Sequence, residues 1–190
     1  MTTFHRTKNA PRPMPNRATL LDRFNTLERQ RMDILERIST TDNILLSKQP
    51  SDGAWSVAQV VLHLAIAEEG LLAYLNKKRE VGGHAPVGAS APFRLAALNL
   101  ALVLPVKYKA PTVVATVPEC SMAEAKMRWD AVREHMHRAF ETIPEKLIGH
   151  GLFKHPAAGK FDLVQGLRFI GMHVHHHRTQ IDRTLSKVKG

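Results

Sequence analysis

Four separate stretches of this chain repeat their apolar residues in steps of three and four, the period of a helix with one inward face. In the first, Leu20, Phe24, Leu27, Ile34, Leu35 and Ile38 carry the repeat, with Thr19 as N-cap and an end near Ser39. The second opens on Ser56 and Gln59, spaced as a capping box, and continues through Val57, Val60, Val61, Leu64, Glu68, Leu71 and Leu75. The third runs from Ser121 through Met122, Ala125, Trp129, Val132, Met136, Ala139 and Ile143, and Pro144 stops it. The fourth spans about Leu163 to Lys187, with Leu167, Ile170, Val174, His177, Ile181 and Leu185 on one face. Four amphipathic helices of this length predict an all-α, antiparallel or mixed four-helix bundle, an architecture that builds metal sites from facing helices.

The connections are uneven. Between the second and third helices, Arg79 to Cys120 is too long for a bundle turn and contains Gly82-Gly83 and five prolines. Within it, Phe93 to Leu104 is apolar and predicts a short helix packed across the bundle end or against a second subunit. Residues 1–17 form a basic arm to which Pro11, Pro13 and Pro15 deny a helix. The expected organisation is this flexible arm followed by one bundle domain over residues 18–190.

Composition narrows the function classes. The 190 residues carry a formal charge of +10, which permits attraction to acidic partners, but the basic residues are scattered. No zinc finger, aromatic-basic sheet motif or helix-turn-helix spacing accompanies them, so nucleic-acid binding is not favoured. Leu95 to Pro105 is interrupted by Asn99 and too short to span a bilayer, and residues 1–17 lack the apolar run of a signal peptide. No membrane span is expected. One cysteine, Cys120, excludes an internal disulfide and suits a reducing compartment, so the expected location is the cytoplasm. Cys120 has no evident histidine partner and is not read as a nucleophile.

The fourth helix places His173, His175, His176 and His177 within five positions, and His63 sits inside the second. On a wheel of about 100° per residue, His173 and His177 fall on one side of the inward face, roughly 80° and 40° from its centre. His175 points away, and His176 lies farther round. His63 lies roughly 120° from the centre of its stripe, on the flank. Two imidazoles spaced i, i+4 and a third from another helix would supply three nitrogen donors and leave coordination positions open. The same spacing also fits a histidine-rich surface helix.

Glu68 falls on the apolar stripe, where an unpaired carboxylate is costly, so it either pairs with a core-edge arginine or serves as a general base. His176 is a candidate proton shuttle, and Gln180, one turn from His176 and His177, a candidate hydrogen-bond partner for a ligand imidazole. Trp55 and Trp129 read as packing residues.

Two segments together resemble the DinB-like superfamily. Trp55-Ser56-Val57-Ala58-Gln59-Val60-Val61-Leu62-His63-Leu64 is similar to the tryptophan-led opening of its second helix. His155-Pro156-Ala157-Ala158-Gly159-Lys160 through Gln165, then His173-x3-His177-x2-Gln180-Ile181, resembles its final loop and helix. Lys107-Tyr108-Lys109-Ala110-Pro111 resembles a crossover stretch of some members. The resemblance implies a four-helix bundle with a divalent nickel, zinc or iron ion on His63, His173 and His177. It also implies a small-molecule substrate, and homodimers are frequent among members. Its known activities divide between metal-dependent hydrolysis and transfer of a low-molecular-weight thiol. A non-catalytic metal-binding or stress-response protein is the alternative.

Overall fold

The computed structural model describes residues 15–103 and 117–190. Most of the proline-rich arm and the stretch Lys107 to Pro111 therefore lie outside the described residues. Among the described residues, six α-helices run in chain order: α1 (Arg17–Ile38), α2 (Asn43–Ser47), α3 (Val57–Val81), α4 (Ala91–Val103), α5 (Met122–Thr142) and α6 (Leu163–Lys189). A 3-10 turn at Glu145–Leu147 and an antiparallel hairpin, β1 (Phe153–His155) with β2 (Gly159–Phe161), separate α5 from α6.

Local chemistry sets the helix ends. Ser56 and Gln59 cap α3 reciprocally, as their spacing predicts, and Ser121 with Glu124 and Asp162 with Gln165 do the same for α5 and α6. The first helix begins earlier than expected. Asn16 is its N-cap, and Thr19, expected there, donates its backbone N–H and its hydroxyl to the Asn16 side chain. Arg17, expected in the arm, is the first helical residue, and its guanidinium donates to the Ile143 carbonyl at 2.6 Å.

α1 packs against α5 and α6, and α3 packs against the same two, so the four long helices close in the cyclic order α1, α5, α3, α6. Trp129, Phe140, Phe161, Leu20 and Leu64 are fully buried between them. Burial of such side chains contributes roughly 1.5–3 kcal/mol each, the main drive for closing the bundle. The crossover helix α4 is the short helix expected from Phe93 to Leu104, and it lies along α6. The hairpin was not foreseen. It fits because Gly166 leaves room for Phe153: a Cβ at Gly166 would stand 2.7 Å from the Phe153 ring.

α3 departs from a simple stripe. Its residues 57–65 are all buried, because α2 and β1 cover the side that the bundle leaves open. The Gln59 amide also donates to the Val117 carbonyl at 3.0 Å. His63, expected on a flank, is buried against the Trp55 ring and the His173 and His177 rings of α6, with 4% of its surface exposed. By length and composition this helix could also cross a membrane, but most of its apolar surface is buried inside the protein.

Candidate metal centre

α3 and α6 pack side by side, and at their contact three imidazoles meet. His63 Nε2 lies 3.3 Å from His173 Nε2, which lies 3.1 Å from His177 Nε2. One nitrogen from each ring falls within 4.8 Å of the others. The i, i+4 spacing on α6 stacks His173 and His177 one turn apart, and α3 brings His63 across to them. Among the described residues this is the one group of three or more histidine, cysteine or acidic side chains close enough to share an ion.

Hydrogen bonding sets which nitrogen is available. His177 Nδ1 is 2.8 Å from Gln180 Oε1, an atom that can only accept, so the proton sits on Nδ1 and the Nε2 lone pair faces the other rings. Burial, followed by the neighbouring His63, lowers the His177 pKa from 6.5 to about 3. Burial, with His177 and His63 beside it, holds His173 well below its ordinary value. Both rings are neutral at pH 7, the form that binds a metal.

This depression makes stability depend on pH. Below about 6.5 the unfolded chain takes up a proton at His177 that the folded chain refuses. Stability present at neutral pH is then lost as pH falls from 6.5 towards 3, at about 1.4 kcal/mol per pH unit for this one group. Thermal melts with a chelator present will show the melting temperature falling across that window. The slope will be shallower in His177→Gln.

Aromatic rings wall the cluster. Trp55 packs its ring 4.9 Å from that of His63, and Phe169 stacks 5.8 Å from that of His173 at 18°. The other edge of Phe169 meets His155 of the hairpin at 4.8 Å. His155 Nδ1 accepts from the Ala157 and Ala158 amides, and burial lowers its pKa. His176 is exposed, with its ring 5.2 Å from that of His177, and its Nδ1–H donates to the Leu102 carbonyl at 3.0 Å.

Other candidates lie in other surroundings. Glu68 is 1% exposed and tied to α5: Arg133 donates to its two oxygens at 2.5 and 2.6 Å, and Trp129 Nε1 at 3.1 Å. Arg133 in turn reaches Glu28 of α1 at 2.8 Å. The core-edge arginine foreseen for Glu68 is thus Arg133, and Trp129 both packs and donates. Arg133 could have been found from sequence, since it lies four residues after Trp129 and three before Met136 on the apolar face. His175 is exposed. The Cys120 thiol is pushed up by burial and by Glu124, opposite to the shift that activates a cysteine.

The profile of the DinB superfamily matches residues 26–181. The chain belongs to the DinB superfamily. Among solved structures, YfiT from Bacillus subtilis shares the fold at 17% identity and a TM-score of 0.53, over 93% of this chain and 91% of that one. YfiT is described as a probable metal-dependent hydrolase with an unusual four-helix bundle topology. At that identity the likeness establishes the fold of this DinB-superfamily chain and leaves its chemistry to its own residues. No curated protein matches it.

Proposed function

We propose that this protein is a metal-dependent hydrolase of small molecules, with a divalent ion held by His63, His173 and His177. The observation that carries this reading is the convergence of three imidazole nitrogens from two helices, with Gln180 setting the tautomer of one. The donor set fits. It has three neutral nitrogens with no thiolate or carboxylate among them, and three protein ligands leave a position for water or substrate. Imidazole donors suit zinc, nickel or iron and not magnesium or calcium. When bound in such a site, a divalent ion supplies a nucleophilic hydroxide near neutral pH and polarises a carbonyl.

The side chains around it have separable tasks. Gln180 holds the His177 ring in its donor orientation. Trp55 and Phe169 keep water from the flanks of His63 and His173, which strengthens electrostatic interactions at the centre. His176 donates through Nδ1 to Leu102, so its Nε2 is free to accept a proton beside the cluster. The YfiT description supports hydrolysis in preference to the other chemistries of the superfamily.

Truncating Gln180 is expected to weaken metal binding about 10- to 100-fold, as loss of such outer partners does. Competition with a chromophoric chelator against Gln180→Ala measures it. For activity, tag-free protein should hydrolyse members of a small ester and amide panel, lose this with chelator, and regain it on addition of zinc or nickel. Turnover that appears only with a low-molecular-weight thiol would replace hydrolysis by transfer. No turnover under either condition would leave a metal-binding protein.

A further inference from the structure

A second pair of histidines meets well away in sequence from the three above. His84 follows α3 at the start of the crossover, and His150 precedes the hairpin, 66 residues later. Their Nδ1 atoms are 3.0 Å apart, with ring centroids at 5.2 Å and planes inclined by 55°. We propose that His84 and His150 form a second divalent-cation site, one that fastens the crossover to the segment entering the hairpin.

The backbone builds the pair. Gly82 and Gly83 adopt φ of +70° and +68°, which turns the chain out of α3. Residues 85–87 then pair antiparallel with residues 149–151: Pro86 lies opposite His150, Gly151 N–H donates to the Ala85 carbonyl at 2.9 Å, and Val87 N–H to the Gly149 carbonyl at 3.3 Å. His84 is two residues from Pro86, so strand alternation puts its side chain on the face that His150 occupies. His150 is further anchored by its N–H on the Leu147 carbonyl at 2.9 Å. Both rings are half-buried, held by backbone yet open to an ion and its waters.

Donor spacing sets the ion class. Two imidazole nitrogens each about 2.0–2.1 Å from an ion stand roughly 2.9 Å apart when cis at 90°, and roughly 3.3 Å apart at a tetrahedral angle. The 3.0 Å separation lets both rings share one ion, and two nitrogen donors completed by water oxygens suit nickel or copper. Neither ring is hydrogen-bonded to any other described residue, and no described carboxylate joins them, so magnesium and calcium lack the oxygens they require. Waters complete the coordination. A direct Nδ1–H to Nδ1 hydrogen bond between neutral rings gives the same contact without metal, and metal dependence separates the two.

The test uses tag-free full-length protein and hydrogen exchange with increasing Ni²⁺, Cu²⁺ or Mg²⁺. At a concentration about ten times the dissociation constant, nickel or copper should slow exchange of the Val87, His150 and Gly151 amides about tenfold. Magnesium should do nothing. His84→Ala and His150→Ala should each abolish this protection, and His84→Gln, which keeps a polar side chain, should abolish it too. His175→Ala should retain it, which separates the pair from the histidine run on α6. Unchanged exchange in wild type, or protection that survives in His84→Gln, would overturn the proposal.

Discussion

Replacing His177 with alanine removes one of three nitrogen donors, and the expected result is loss of metal affinity by more than about 100-fold, beyond what outer partners cost. The effect is large because the position is constrained twice. Its ring reaches the cluster from the inward face of α6, and Gln180 holds its proton on the far nitrogen. No described side chain stands ready to replace it: His176 is directed to the Leu102 carbonyl and His175 is exposed. Isothermal titration with zinc and nickel, alongside circular dichroism to show retained helix, measures the change. Undiminished affinity would mean that the ion sits elsewhere.

The second large effect concerns stability. Arg133→Leu strips the Glu68 carboxylate of its guanidinium and leaves it buried against the Trp129 Nε1–H. Breaking a buried pair from one side costs about 3–5 kcal/mol, because the surviving charge stays out of water. For a chain of this size that lowers the melting temperature by roughly 6–20 °C. The double variant Glu68→Leu/Arg133→Leu should recover most of the loss, since replacing both charges by apolar groups is often neutral. It also separates the two readings of Glu68. A structural carboxylate predicts that the double variant keeps its metal and its turnover, whereas a general base predicts that metal stays and turnover disappears. Calorimetry and the ester panel on the same preparations decide between them.

The His173–His177 pair and the Glu68 charge are both legible in the sequence. The wheel paired His173 with His177 and set His175 aside, because i, i+4 geometry on one helix follows from the rise and turn alone. Glu68 stood out for a similar reason, as a charge on an apolar stripe. What lay beyond reach was tertiary. His63 reads as a flank residue on an isolated α3, and it is buried because α6, with His173 and His177, and the Trp55 ring close over that side. The hairpin escaped notice because its strands are three residues long, too short for alternation to register. Its one local sign was Gly159, which adopts φ of +80° where β2 begins. The α1 cap was misplaced by three residues because Thr19 and Asn16 are both good caps, and Asn16 places Arg17 on the Ile143 carbonyl. His84 and His150 carry no periodic signal and meet only through the pairing of 85–87 with 149–151.

X-ray absorption at the zinc edge of tag-free protein loaded with one equivalent of zinc addresses the proposed centre most directly. One ion per chain is expected at this cluster, with three imidazole nitrogens at about 2.0–2.1 Å and oxygen donors beside them. In His63→Ala this three-nitrogen shell is expected to be gone. A sulfur-containing shell, fewer than three imidazoles in wild type, or a spectrum unchanged in His63→Ala would contradict the proposed centre.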